Sequence, residues 1–537
     1  MGRRLPSKGR FALFPGRESL WQLPALLGAL LVLVPLLLVF SSWSAPQWSV
    51  WQHLGETRLP TLLGNTGVLL VGVGSGVFLL GVSLAWLTAM CEFPGRKLLD
   101  WLLMLPLAIP AYILAFIALG TLDYAGPVQR FWRNLFGHDA WFPDIRSSVG
   151  VITVLVLVFY PYVYLLARTA FLNQGRATLD AARTLGATSW QAFFRVALPV
   201  ARPAIAAGVA LALMETLADF GAVSVFNYDT FTTAIYQAWF GLFNLVAAAQ
   251  LASVLLLFVF MAMFMEKKQR RMYQAGNASR RTAYPLKGFW AWAAFTYCSL
   301  VVALAFLLPV SRLFGWVLKS GWSAVDSRFL LLLEHTLVLG AVAGLGVVVL
   351  ALLVAYGQRQ HSGRFSKMLV QIAGMGYALP GSILAVGVMM VFAWIGRHHG
   401  SHALITGTLW AMLTAYMIRF FVVGFCSIDS SLALIRPSIE EAARTLGASH
   451  RRILSAIYLP ILTPGILTAL LMVLVDVMKE MPATLLLRPF GWDTLAVRIY
   501  ELTSEGEWQR AAMPALFLIA AGLIPVILLM RRSAENY

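Results

Sequence analysis

Twelve apolar runs recur along the chain, separated by short polar stretches rich in charge, Gly or Pro. A run of about 20 apolar residues makes a helix of roughly 30 Å, the thickness of a bilayer's hydrocarbon core. The pattern therefore predicts spans near 23–42, 62–90, 98–120, 147–170, 200–222, 243–265, 289–311, 333–357, 368–395, 404–426, 461–487 and 509–530. The first run follows Arg3, Arg4, Lys8, Arg10 and Arg17, as the apolar core of a secretory signal would. From Leu23 to Phe40 it is too long for one, and its small-residue site, Ser44-Ala45, is followed by Pro46, so it reads as a retained span.

Composition agrees: 59% of the residues are hydrophobic and 12% charged, against roughly 25% charged in a soluble domain. A net charge of +17 would suggest nucleic acid in a soluble protein. Its distribution argues otherwise. With the N-terminus in the cytoplasm, most Lys and Arg fall on cytoplasmic segments, the positive-inside bias. The strongest run, Lys267, Lys268, Arg270, Arg271, Arg280, Arg281 and Lys287, lies between the sixth and seventh spans, and Arg531-Arg532 follows the twelfth. Both termini are thus expected in the cytoplasm, with the lipid bilayer as partner and no nucleic acid. Cys91, Cys298 and Cys426 show no metal-like spacing and imply no disulfide framework.

The chain repeats itself. Asp180-Ala181-Ala182-Arg183-Thr184-Leu185-Gly186-Ala187 returns as Glu441-Ala442-Ala443-Arg444-Thr445-Leu446-Gly447-Ala448, and Leu198-Pro199 and Pro203 return as Leu459-Pro460 and Pro464, all at an offset of 261. Asn65-Thr66 matches His335-Thr336, and Pro110 with Ile113-Leu114-Ala115 matches Pro380 with Ile383-Leu384-Ala385, at an offset of 270. The nine extra residues of the first copy are expected in the outside loop 121–146. Both copies carry the matched segment after their fourth span, so the duplication is parallel. The expected organisation is a tail 1–22, a first domain 23–265, a basic linker 266–288, a second domain 289–530 and a tail 531–537.

The matched segment reads as two short helices with a turn between them. In the second copy Ser438 and Glu441 fit a capping box, and Gly447 suits a C-terminal cap. In the first copy Thr178 is the candidate N-cap, Asp180 lies in the first turn, and Gly186 ends the helix. Thr188 and Ser449 can cap the second helix of each pair. The Ala-Ala pair offers a small-sided face for another protein, and the acid and the following Arg offer directional contacts. An ordinary amphipathic loop helix would not need seven residues repeated identically at one topological place.

Acid-Ala-Ala, three residues, Gly, nine residues, an aliphatic, one residue and Leu-Pro resembles the signature of binding-protein-dependent ABC transporter permeases, and both copies fit without a gap. The resemblance implies an all-α membrane protein of twelve transmembrane helices, two tandem six-helix ABC importer permease domains (MetI-like). It makes segments 178–199 and 438–460 the coupling segments, with Asp180, Ala181, Ala182, Arg183 and Gly186, and Glu441, Ala442, Ala443, Arg444 and Gly447, as contacts for two copies of a cytoplasmic ABC ATPase. It further implies a bacterial inner membrane and an extracytoplasmic solute-binding protein. The sequence has no Gly-x-x-x-x-Gly-Lys-Ser/Thr loop, so ATP and Mg are expected on the separate ATPase and no cofactor on this chain. No nucleophile–base constellation supports an enzyme. A secondary transporter could also show twelve spans and repeats, but would have no use for paired ATPase-docking motifs.

Residues 218–222 and 226–230 after the fifth span, and 479–484 and 487–494 after the eleventh, look like the ferric-iron branch of the fused permeases; thiamine, polyamine or another small solute is the alternative. Loops 223–242 and 488–508 are expected to receive the binding protein, with Asp229 and Asp493, at an offset of 264, as docking acids. Glu215 and Asp219, and Asp476 and Glu480, lie four residues apart and would share one face of their helices. Acids at such depth usually face a cavity or partner, and oxygen ligands suit ferric iron, so the four form a candidate receiving site or outer gate. The alternative is that Lys479 neutralises one and the others hydrogen-bond between helices. His398, His399 and His402 invite a metal reading, but imidazoles are soft for ferric iron, and no metal site is assigned. Tyr160, Tyr162 and Tyr164 could offer phenols to a pathway, but read first as interfacial anchors.

Overall fold

A computed structural model describes residues 19–137, 139–186, 188–272, 284–320, 325–361, 363–399 and 408–535. Among these, twelve helices are long and apolar enough to cross a membrane: Leu23–Ser44, Leu59–Met90, Ala111–Phe136, Ser148–Gln174, Phe193–Ala218, Leu245–Phe264, Phe289–Ser320, Ser327–Gln360, Gly381–His398, Leu409–Ala433, Leu454–Lys479 and Trp508–Leu528. They are numbered below as spans one to twelve.

Proline sets where the helical runs break. The continuous third and ninth runs expected from hydropathy are each divided. A helix at Arg96–Leu102 is followed by a 3-10 turn at Leu105–Ala108 and a new helix from Ala111. The second copy has a helix at Arg364–Gly374, a 3-10 turn at Met375–Ala378 and a helix from Gly381. Pro110 and Pro380 precede the new helices, and the residue before a proline is pushed out of helical geometry. Three five-residue π segments, Phe193–Ala197, Ala303–Leu307 and Leu454–Tyr458, each run directly into a Leu-Pro pair. A proline inside a helix removes one N–H and crowds the carbonyl four residues back, which a widened turn relieves.

The chain forms two compact units. Among the described residues, one unit falls within Met1–Val34, Val342–Tyr377 and Tyr416–Val473, and the other within Pro35–Ala341, Ala378–Ala415 and Leu474–Tyr537. In the larger unit the second and fourth spans touch along glycines. A Cβ on Gly72, Gly76 or Gly81 would fall 2.4–2.7 Å from Ile152, Val156 or Val163, the small-residue spacing that lets membrane helices approach closely. Cys91–Glu92 pairs in parallel with Tyr284–Pro285, fastening the end of the linker to the end of the second span. In the smaller unit, Val354, Tyr356, Phe421, Ile428, Tyr458 and Leu462 form the centre of an apolar core.

Tyr160 and Tyr164 are not interfacial anchors. Both are fully buried; Tyr160 donates to the Leu103 carbonyl at 2.8 Å and Tyr164 to Asp100 at 2.7 Å. Asp100 also holds Arg168 through two oxygens at 2.5 Å. The third span's range holds two helices, Ala111–Leu122 and Pro127–Phe136, so the segment 121–146, expected as an outside loop, is partly helical, with Phe131, Leu135 and Phe136 exposed.

Candidate functional site

The second expected coupling segment opens with a helix, Pro437–Thr445, ended by Gly447 at φ +80°. Ala448 N–H donates to Ala443 O at 3.0 Å and Gly447 N–H to Arg444 O at 2.9 Å, the paired bonds of a Schellman cap. The expected capping box at Ser438 does not form. Arg436 occupies the N-cap without a side-chain bond, and Pro437 begins the helix; a proline there has no N–H needing a cap.

In the first copy the expected start at Thr178 is absent too, because one helix runs unbroken from Ser148 to Thr184. Nothing interrupts it as Arg436-Pro437 does in the second copy. Gly186 follows at φ +89°, so both copies turn on a left-handed glycine. The second helix of each pair is capped as expected, by Thr188 Oγ1 accepting from Gln191 N–H at 3.3 Å and Ser449 Oγ from Arg452 N–H at 3.4 Å.

Glu441, Ala442 and Arg444 are exposed and Ala443 is half-buried. Ala182 is half-buried as well; the side chains of Asp180, Ala181 and Arg183 lie outside the described residues. Leu185 and Leu446, just before the two glycines, are 89% and 87% exposed. Each segment therefore presents a bare leucine at its turn, and the second adds a free acid and small side chains. The residue sequence reasoning missed is Glu440. It is buried among Arg359, Gln360, Arg444 and Tyr458.

At the far end of the fifth and eleventh spans, both helices stop one residue short of the second acid of each pair. Asp219 and Glu480 follow helices ending at Ala218 and Lys479. They therefore do not continue the helical face of Glu215 and Asp476. Each instead accepts from the short helix that follows: Asp219 Oδ1 from Val223 N–H and Glu480 Oε1 from Ala483 N–H, both at 3.1 Å. A carboxylate suits the positive end of a short helix. Asp219 also lines a cavity of ≈ 10 Å³ with Thr66, Thr216, Thr230 and Thr232, about the size of one water. Lys479 lies within Coulombic reach of Asp476.

Among the described residues no three His, Cys, Asp or Glu side chains come together as a metal site. His398 packs tilted against Trp394, with Nδ1 2.9 Å from that residue's carbonyl; the side chain of His399, and His402 altogether, lie outside the described residues.

The expected binding-protein loops carry a matched pair of helices, Phe231–Phe240 and Leu495–Ser504, N-capped by Thr230 and Thr494. The residue before each cap is held by the repeat's own partner. Asn65 Nδ2 donates to Asp229 O at 2.9 Å, and His335 Nδ1 lies 3.3 Å from Asp493 O. The carboxylates differ. Asp493 pairs with Arg488, which also reaches Glu501 at 2.8 Å.

Twelve apolar helices, an internal parallel repeat and two turn-capped polar segments define a polytopic permease. The chain belongs to the family of binding-protein-dependent transport system inner membrane components, whose model matches residues 78–271 and again 347–536. It is similar to the Fe(3+)-transport system permease protein FbpB 2 of Haemophilus influenzae, 27% identical over 89% of this chain and 91% of that one. It is also similar to the ferric transport system permease protein FbpB of Actinobacillus pleuropneumoniae, 24% identical over 90% of this chain and 72% of that one. A putative 2-aminoethylphosphonate transport system permease protein, PhnV of Salmonella typhimurium, is 28% identical over 44% of this chain and 93% of its own length. The chain is thus a multi-pass inner-membrane translocation subunit of a binding-protein-dependent system.

Proposed function

We propose that this chain carries ferric iron across the inner membrane, delivered by an extracytoplasmic binding protein and driven by two copies of a separate ABC ATPase that bind ATP and Mg. Relatives named for ferric iron match it over nearly its whole length, and this observation carries the choice of substrate. The repeated acid-Ala-Ala segments ending on Gly186 and Gly447 supply two equivalent docking places, one for each ATPase. Asp180 and Glu441 lead the contacts, and the Ala-Ala pairs let the partner surface approach.

With both termini in the cytoplasm, the docking segments face the ATPases, and helices Phe231–Phe240 and Leu495–Ser504 face the binding protein with Asp229 and Asp493. Glu215, Asp219, Asp476 and Glu480 lie towards that outer side and present carboxylate oxygen to the arriving cation. Hard oxygen donors suit a hard trivalent ion.

The test is stimulation of ATP hydrolysis in proteoliposomes holding this chain and its ATPase. Binding protein loaded with ferric iron should stimulate hydrolysis, whereas binding proteins loaded with thiamine, a polyamine or an aminophosphonate should not. Stimulation by one of those and none by the iron-loaded protein would overturn the substrate.

A further inference from the structure

The two docking helices are held by different means. Glu440 precedes the exposed Glu441 and is 9% exposed itself. Its Oε1 accepts from Gln360 Nε2 and Arg444 Nη2, both at 2.6 Å. Its Oε2 accepts from the Tyr458 phenol and faces Arg359 Nε at 3.7 Å.

Arg359 in turn donates to the carbonyls of Leu432 at 2.7 Å and Ile435 at 2.6 Å, and its guanidinium lies over the Tyr458 ring. One carboxylate therefore joins the docking helix to the end of the eighth span, to the chain leaving the tenth, and to the π turn that opens the eleventh. Tyr458 packs edge-on against Tyr356, and Tyr356 against Trp21, so the knot continues into the apolar core.

Of Glu440 and the partners it binds, only Arg444 recurs in the first copy, as Arg183. At the repeat offsets, Glu440 becomes Leu179 and Tyr458 becomes Ala197, while Arg359 becomes Ala89 and Gln360 becomes Met90. The first docking segment is instead the end of the unbroken helix Ser148–Thr184, and Gln174 Nε2 donates to the Ala197 carbonyl at 3.0 Å.

We propose that Glu440 is a positioning residue that gears the second docking helix to the eighth, tenth and eleventh spans, and that the two docking helices are mechanically unequal. The second moves with its domain because side chains clamp it. The first moves because it is the tip of its own span. A buried carboxylate that accepts three hydrogen bonds and faces a guanidinium fixes geometry in a way an exposed salt bridge does not. The proposal rests on the reading that these segments dock on the ATPases, and the test separates the two.

Single cysteines replacing Leu446 or Leu185 are cross-linked to the ATPase in the assembled complex, in the parent and in Glu440→Ala, Glu440→Gln and Tyr458→Phe backgrounds, and iron moved per ATP is measured alongside. In Glu440→Ala the cross-link from position 446 should fall by about tenfold, the scale of losing one charge-assisted buried hydrogen bond. The cross-link from position 185 should hold, and iron moved per ATP should fall. Glu440→Gln, whose amide oxygen still accepts, should recover most of both. Tyr458→Phe, which removes one hydroxyl, should show the same one-sided loss in smaller degree, and it carries the test should Glu440→Ala not fold. Equal loss at both positions, or no loss at either, would overturn the proposal. Absence of any cross-link in the parent would instead overturn the docking reading.

Discussion

Gly447 offers a clean perturbation of coupling, because only its backbone is constrained. It sits at φ +80°, and a Cβ added there would meet nothing within 4 Å, so a substitution brings conformational cost without a clash. For an L-residue the left-handed region costs roughly 1–2 kcal/mol, with Asn tolerated best, and β-branched residues fare worst there. Should the turn open instead, the chain forfeits the Ala448-to-Ala443 and Gly447-to-Arg444 bonds, each worth about 1 kcal/mol. Either route lowers the population of the capped turn by a factor of about 5–30. The expected order of binding-protein-stimulated ATP hydrolysis in proteoliposomes is parent, Gly447→Asn, Gly447→Ala, Gly447→Val. Gly186, at φ +89° with equally open surroundings, should give the same order. Membrane insertion and yield should be unaffected, since both glycines lie outside the spans. Stimulation by Gly447→Val and Gly186→Val equal to the parent would refute the turn's role in coupling.

Charge reversal at Asp229 should weaken binding-protein affinity several-fold at low salt and little at high salt; Asp493→Lys should do so and also release Arg488, visible as faster hydrogen exchange over 495–504. Asp219→Asn combined with Glu480→Gln should abolish iron uptake while assembly with the ATPase survives, because the amide oxygens can still accept from Val223 and Ala483; uptake at the parental rate would leave both acids a capping role alone. Gly522→Ala would set a Cβ 2.4 Å from the Ala108 carbonyl and 2.7 Å from Lys479 Nζ, an overpacking cost of about 1–3 kcal/mol that should lower the thermal midpoint of the purified protein. Burial raises the Glu440 carboxyl, but hydrogen bonds from Tyr458 and Gln360 and the charge of Arg444 hold it below its usual value. A group with a depressed folded value contributes stability above its unfolded value, about 4.3 for Glu, and loses it as pH falls through the folded value. Melting temperatures should therefore drop more steeply with acid in the parent than in Glu440→Gln.

Much of this was legible in the sequence because bilayer and repeat impose hard constraints. Span length is fixed by hydrocarbon thickness, and the seven-residue identity around Ala181 and Ala442 marked the repeated segments proposed to dock, with Gly186 and Gly447 at their left-handed turns. Helix starts were less legible. Ser438 with Glu441 satisfies a local capping pattern, yet Pro437 begins the helix one residue earlier and leaves no N–H there to cap. Hydropathy also could not see the breaks at Leu105–Ala108 and Met375–Ala378, since apolar side chains continue through them and the prolines Pro106, Pro110 and Pro380 mark the change. The four intramembrane acids were visible as charges out of place, but the helix end at Ala218 and Lys479 decides what they face. Asp100 and Arg168 carried the same signal, a charge inside an apolar run, and find one another across 68 residues of chain. Glu440 gave none, since an acid beside an acid on a polar helix looks like solvent-facing surface; its burial depends on Tyr458 and Arg359 arriving from distant spans.

In the proposed function this chain moves ferric iron only in company with its ATPase and its binding protein. Radiolabelled iron accumulating inside proteoliposomes measures it directly, with ATP and ATPase on one side of the bilayer and iron-loaded binding protein on the other. Uptake should need all three components and stop when Glu441 and Asp180 are both replaced by Lys. Iron uptake that persists without ATP or binding protein, or no iron uptake by a complex that imports another solute, would contradict it.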